Sequence, residues 1–220
     1  MPSITALIPC FNEDKSIELT LRSLIKINLF EKVIVVNDGS TDKTLQKLEK
    51  FKNVKTVQVV SLRRNHGKGG AVRFGVKKVL TPFVFLCDAD LIGWNKEDVQ
   101  MLIEPVFSGY CDISAGIVAN KGKFLQKLKL SIFPLISGQR FLKTKLLREM
   151  AFSTCFNGWG IEPWMNYVCR QKKLRLKKIP FRKVYSTACQ IEKRGWWNYL
   201  KRVVFYFKIY TVLFLKNHLD

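Results

Sequence analysis

The stretch Phe83-Val84-Phe85-Leu86-Cys87-Asp88-Ala89-Asp90-Leu91 is the feature that most constrains the fold. Its apolar start suits a strand buried on both faces of a parallel sheet. Two carboxylates then follow, one residue apart, with no turn residue before them. Unpaired carboxylates at the end of a buried strand are costly unless a cation or ligand meets them. An Asp-x-Asp at a strand's carboxyl end can chelate Mg²⁺ or Mn²⁺, hard ions that take oxygen ligands and share them with substrate phosphates. The same tripeptide also occurs in plain solvated turns, so the rest of the chain must decide.

Upstream, strand and helix alternate. Ile4–Ile8 reads as a strand stopped by Pro9, followed by Cys10-Phe11-Asn12-Glu13 and a helix carrying Ile17, Leu21, Leu24 and Ile25, with Asn12 or Asp14 as its cap. Val33–Val36 is a second strand. It runs into Asn37-Asp38-Gly39-Ser40-Thr41-Asp42, a turn that also offers caps to a helix through Leu45 and Leu48. Val57–Val60 is a third strand. Asn65-His66-Gly67-Lys68-Gly69-Gly70 then opens a helix through Val72, Val76 and Val79. A glycine-rich turn at a helix start lets backbone N–H groups approach a phosphate, and Lys68 adds a compact positive charge. The spacing matches neither a Walker A loop nor Gly-x-Gly-x-x-Gly.

This alternation predicts an α/β fold with a mostly parallel sheet and helices on both faces. Ligands in such sheets bind at the carboxyl ends of the strands. Asn12 and Glu13, Asp38, the Lys68 turn, and Asp88 with Asp90 all fall at such ends, so one edge of the sheet collects the polar chemistry.

The length of 220 residues fits one domain with a sizeable core, spanning 1–195, followed by a helix over 196–220. The balance of 38 Lys+Arg against 17 Asp+Glu, formally +21, implies an anionic partner: nucleic acid, an acidic membrane surface or a phosphorylated substrate. The six Cys show neither Cys-x-x-Cys nor zinc spacing and read as reduced core residues of a cytosolic protein. No signal peptide is expected at the N-terminus.

Past Leu91, Asp112–Val118 reads as another strand. Lys121–Lys129 is basic, Ser137-Gly138-Gln139-Arg140 follows an apolar run, and Gly158-Trp159-Gly160-Ile161-Glu162 precedes a helix beginning near Pro163. Gln171–Lys178 is dense in Lys and Arg. Trp196–Lys216 combines aromatic rings with Lys201, Arg202, Lys208 and Lys216 at about two-turn spacing. Its uncharged run is shorter than the ~20 residues a bilayer requires. The segment therefore reads either as an amphipathic helix in the membrane interface or as a helix docked on the domain with a basic stripe outward.

Pro9–Glu13, Asn37–Asp42, Asn65–Gly70 and Asp88–Leu91, in that order and spacing, resemble the family 2 glycosyltransferases of GT-A fold, most closely the dolichyl-phosphate mannose synthase branch. The transmembrane pair that some of those relatives append is not expected here. The resemblance implies a metal-dependent, inverting transfer of a sugar from a nucleotide-diphosphate-sugar donor. By the same resemblance Pro9, Asn12, Glu13 and Asp38 line the nucleoside pocket and Lys68 lies by the donor. Asp88 sits near ribose and metal, Asp90 ligates Mg²⁺ or Mn²⁺, Arg140 faces the acceptor, and Glu162 lies near it. Two departures stand out. Asn37 replaces the first Asp of the family's second motif. Ile92 stands where some relatives carry a further metal ligand, with His66 and His218 the only histidines.

The basic second half and the aromatic tail favour a lipid-linked anionic acceptor, most simply a polyprenyl phosphate, at an anionic membrane surface on the cytoplasmic face. A lipid phosphate is already a nucleophile and needs only positioning and charge neutralisation. The alternative is a hydroxyl acceptor such as diacylglycerol, a glycan or a small molecule, for which Glu162 is the candidate base. A nucleotidyltransferase would carry a glycine-rich basic signature near the N-terminus. A nucleic-acid-binding module would account for the charge, but no reader motif appears and the basic residues lie away from the motif-bearing edge, so no nucleic acid is expected.

Overall fold

The computed structural model describes residues 2–117, 137–152, 160–186 and Val204. The basic stretch 121–129, Cys155, Cys189 and the aromatic segment 196–216 (apart from Val204) lie outside the described residues. Among the described residues, no helix is long and apolar enough to cross a membrane.

The first half follows the alternation in the sequence. Strand β1 (Ile4–Cys10) leads to helix α1 (Ile17–Ile27), β2 (Lys32–Asn37) to α2 (Thr44–Glu49), and β3 (Val57–Ser61) to α3 (Gly67–Val76). Next come β4 (Phe83–Leu86), the two-residue β5 (Leu91–Ile92) and α4 (Lys96–Phe107). After β6 (Ile113–Ile117) the order changes to β7 (Arg140–Lys143), α5 (Thr144–Ala151), α6 (Ile161–Gln171), β8 (Leu176–Pro180) and β9 (Tyr185–Ser186).

Seven strands form one sheet in the order β3-β2-β1-β4-β7-β6-β8, while β5 and β9 pair separately. All pairings in the large sheet are parallel except those of β7, which runs antiparallel to both β4 and β6. Antiparallel β7 therefore begins at the edge where the parallel strands end. Its register sets Arg140 opposite Leu86 of β4 and Ala115 of β6. This reversal is what brings residues 137–140 to the edge that carries Asp88.

The period-two alternation of the strands divides the core. Ala6, Ile8, Val33, Val35, Phe85 and Phe141 face one layer with Leu21, Leu24, Leu48, Leu102 and Trp94. Leu7, Ile34, Val36, Val84 and Leu142 face the other with Val72, Val76, Leu147 and Met165. Phe85 is fully buried, stacked on Phe30 at 5.5 Å and edge-on to Trp94 at 5.2 Å. Burial of such a ring is worth ~1.5–3 kcal/mol.

Two expectations about caps change. Neither Asn12 nor Asp14 caps α1, whose N-cap is Ser16 without a side-chain cap bond. Asn12 instead takes a left-handed conformation (φ 54°), and its Oδ1 accepts from the Thr41 amide at 2.9 Å, joining the first loop to the second. Asp42 precedes α2 and accepts from the Thr44 amide at 2.9 Å.

Candidate active site

At the carboxyl end of β2, Asp38 is buried, and its Oδ1 accepts from the His66 amide at 2.8 Å. Burial raises its pKa above the ordinary carboxylate value, partly offset by the amides of His66 and Gly67. Gly39 beside it has φ +69°, and a Cβ there would meet the backbone of Arg64 at 2.7 Å, so the turn closes tightly on the Lys68 loop. Asn37 does not project as a second acid. Its Oδ1 accepts from the Ser40 amide at 3.1 Å and shapes the same turn. Glu13 is tied inward, accepting from Ser16 Oγ at 2.9 Å, while its amide donates to Thr44 Oγ1 at 2.8 Å.

The centre of the site is a chain of charges. Lys68, in the first turn of α3, places Nζ 2.5 Å from Asp88 Oδ1 and 2.6 Å from Glu162 Oε1. Burial alone would lower the lysine pKa, but the two carboxylates outweigh it and hold the ammonium well above its ordinary value. Lys68 is therefore charged at every working pH. Glu162, in the first turn of α6, is buried, and its Oε2 has no hydrogen-bond partner among the described residues. Asp88 Oδ2 accepts from Gln139 Nε2 at 2.6 Å, and Gln139 Oε1 accepts from Ser137 Oγ at 2.8 Å. Gly138 backs the cluster. A Cβ there would overlap Lys68 Nζ and both Asp88 carboxylate oxygens, so a larger residue would require the ends of those side chains to shift.

Pro9, Leu86, Cys87 and Met165 line the small cavity around this cluster together with Lys68, Asp88, Arg140 and Glu162. The Cys87 thiol is pushed up by burial and stays protonated. Asp90 follows in the turn before β5 and is half-buried. Asp88 and Asp90 offer hard oxygen donors suited to Mg²⁺ or Mn²⁺. Among the described residues no three His, Cys, Asp or Glu side chains gather into a complete cage. The donor set thus fits an ion that completes its shell with diphosphate and water.

Arg140, expected to face the acceptor, lines the same cavity as Asp88 and Glu162. It is fully buried in β7, donating from Nη2 to Asn166 Oδ1 at 2.7 Å and from Nε to the Ser137 carbonyl at 3.2 Å. The guanidinium is engaged in joining β7 to α6 beneath Glu162. Sequence reading passed over Gln139, Asn166 and Thr20. The Thr20 hydroxyl lies 3.0 Å from the carbonyl of Ala89, the middle residue of Asp-x-Asp, and 2.8 Å from that of Leu91. No local pattern marks these residues, because each partner lies far away in the chain.

Comparison with known proteins bears on the family and the fold. The chain is 36% identical over 93 residues to the poly-beta-1,6-N-acetyl-D-glucosamine synthase of Staphylococcus aureus (strain COL), covering 42% of this chain and 23% of that one. The Staphylococcus epidermidis protein of the same name is 34% identical over 90 residues, covering 40% and 22%. The matched region thus spans about a quarter of the length of these relatives. Among solved structures, glucosyl-3-phosphoglycerate synthase from Mycobacterium tuberculosis with Mg²⁺ and UDP superposes with a TM-score of 0.71 at 20% identity, covering 88% of this chain and 74% of that one. The same enzyme with Mn²⁺, UDP-glucose and phosphoglyceric acid gives 0.70, again at 20% identity, covering 88% and 75%. That likeness establishes the GT-A fold; it does not single out the dolichyl-phosphate mannose branch. The profile of Glycosyl transferase family 2 matches residues 5–166, most of the chain, and with the motif-bearing edge in place the chain belongs to that family.

Proposed function

We propose that the chain is a metal-dependent glycosyltransferase domain that moves a sugar from a nucleoside-diphosphate sugar to a hydroxyl acceptor. The observation that carries the acceptor half is Glu162, buried with one oxygen on Lys68 and the other without a partner among the described residues. A buried carboxylate oxygen is costly unless something donates to it. An attacking hydroxyl is such a donor, and Glu162 would orient it and take its proton.

The donor half rests on Asp38 behind the Lys68 turn and on Asp88 with Asp90 at the end of β4. A divalent ion bound there stabilises negative charge on the departing nucleoside diphosphate. Lys68 adds a second cation beside it. The relatives support this reading. The staphylococcal proteins are named for a polymer of N-acetyl-D-glucosamine, and the mycobacterial enzyme is seen with UDP-glucose, Mn²⁺ and phosphoglyceric acid.

The test pairs UDP-, GDP- and dTDP-sugars and Mn²⁺ with saccharide and glycerol-type hydroxyls on one side and polyprenyl phosphate on the other. Transfer to a hydroxyl is expected. Glu162→Gln should lose ~10²-fold or more in turnover, the usual contribution of a general base, while keeping the thermal shift produced by the donor. Transfer to polyprenyl phosphate alone, with Glu162→Gln near normal, would overturn the hydroxyl reading.

A further inference from the structure

Lys68 makes two short ionic contacts at once, yet its two partners differ in accessibility. The Asp88 side chain is 27% exposed and that of Glu162 only 3%. Each oxygen of Asp88 already has one partner, Lys68 at Oδ1 and Gln139 at Oδ2. Gly138 packs closely against the cluster, where a methyl group would press on the ends of Lys68 and Asp88. An ammonium and a divalent ion held together on the Oδ1 side of Asp88 would repel each other strongly at bonding distance.

From this we propose that Lys68 is an internal counter-cation for Asp88, exchanged only for a divalent ion that arrives with a diphosphate, so that metal and donor are taken up as one unit. The inference rests on the donor-site reading above.

The energetics run in one direction. Drawing Lys68 off Asp88 without giving it another anion leaves a half-buried ammonium with one partner fewer, and a bare ion must overcome that loss. A diphosphate changes the balance. Bound at the amino end of α3, where Lys68 sits in the first turn on a long flexible stem, it would offer the ammonium a new negative partner. Glu162 keeps the lysine anchored from the buried side during the exchange. The coupling is reciprocal, so the ion tightens nucleotide as much as nucleotide tightens the ion.

A salt bridge that merely fastens α3 to α6 would show none of this coupling, and the two accounts separate in a metal titration. Free Mn²⁺ is followed by electron paramagnetic resonance as it is added to wild type, Lys68→Gln and Lys68→Arg, each with and without UDP. The wild type is expected to bind Mn²⁺ alone weakly and at least ~10-fold more tightly with UDP, within the usual range of site–site coupling. Lys68→Gln, which keeps a hydrogen-bonding group against Glu162, should bind Mn²⁺ alone ~10-fold more tightly than wild type and lose most of the UDP effect. Its melting temperature should rise more with Mn²⁺ alone than that of wild type. Lys68→Arg, still charged, should remain weak without nucleotide.

Lys68→Gln binding Mn²⁺ alone no more tightly than wild type overturns the inference and leaves the donor site standing. So does a wild-type UDP effect below about 5-fold, which needs no variant to fold. A wild type that binds neither Mn²⁺ nor UDP, GDP or dTDP overturns the donor-site reading and the inference with it.

Discussion

Thr20 Oγ1 lies 2.8 Å from the carbonyl of Leu91 and 3.0 Å from that of Ala89, so a hydroxyl on α1 fastens the turn that carries Asp88 and Asp90. The residue is fully buried, with the Ser16 carbonyl a third acceptor at 3.2 Å, so its single proton donates to one of the three at a time. Thr20→Val keeps the shape and removes the donor. It should destabilise the protein by ~1–3 kcal/mol, the cost of unsatisfied buried carbonyls, and Thr20→Ser should recover much of that. Urea unfolding of the three proteins checks it; equal midpoints would show that the hydroxyl is dispensable.

Asp38 sits where function opposes stability. Burial raises its pKa, so its contribution to folding is most favourable below the unfolded carboxyl value near 3.8 and is lost as pH rises through its folded value. Asp38→Asn removes a buried charge while its Oδ1 can still accept from the His66 amide. The variant should be more stable than wild type at pH 7, by ~0.5–2 kcal/mol, and the difference should shrink as pH falls toward 4. Donor binding should be lost. A less stable variant at pH 7 would show that the charge itself holds the turn.

Asp90 stands past the end of β4, outside the packed layers. Asp90→Ala should therefore keep its unfolding free energy within ~0.5 kcal/mol of wild type and abolish transfer, and EDTA should silence the wild type. Near-normal turnover in the variant, or full activity in EDTA, contradicts the metal role.

Asp98, in the first turn of α4, accepts from Asn95 Nδ2 at 2.7 Å and from the amides of Arg182 and Lys183 at 3.1 and 3.2 Å. It thereby fixes the segment between β8 and β9 against the helix that follows the Asp-x-Asp turn. Asp98→Ala leaves those donors without their shared acceptor at a partly buried site and should cost roughly 1–3 kcal/mol. Amide exchange at Arg182 and Lys183 should accelerate in the variant; unchanged protection at both would rule out the anchor.

The parallel strands, their helices and the placement of Asp38, Lys68 and Asp88 on one edge were legible in the sequence. Each of these depends on short-range signals: apolar period along a strand, helical spacing in the next segment, and glycine or Asx residues at the turn between. A strand that ends in a carboxylate announces which end of the sheet is chemical, because the cost of burying that charge is local.

Other features were decided only in three dimensions. Arg140 is basic by sequence, and the family resemblance sets it facing the acceptor. It is buried because β7 inserts antiparallel between β4 and β6, where its Nη2 donates to Asn166 and its Nε to the Ser137 carbonyl. Lys68 and Glu162 meet across 94 residues of chain, and Gln139 reaches Asp88 across 51. Periodicity and turn chemistry act within about one helix length, whereas strand order and ion pairing across the sheet edge are settled by packing two layers against it. The sequence alone therefore determined which residues carry charge to the edge. The tertiary structure decided which of those charges neutralise one another and left a single carboxylate oxygen of Glu162 without a partner among the described residues.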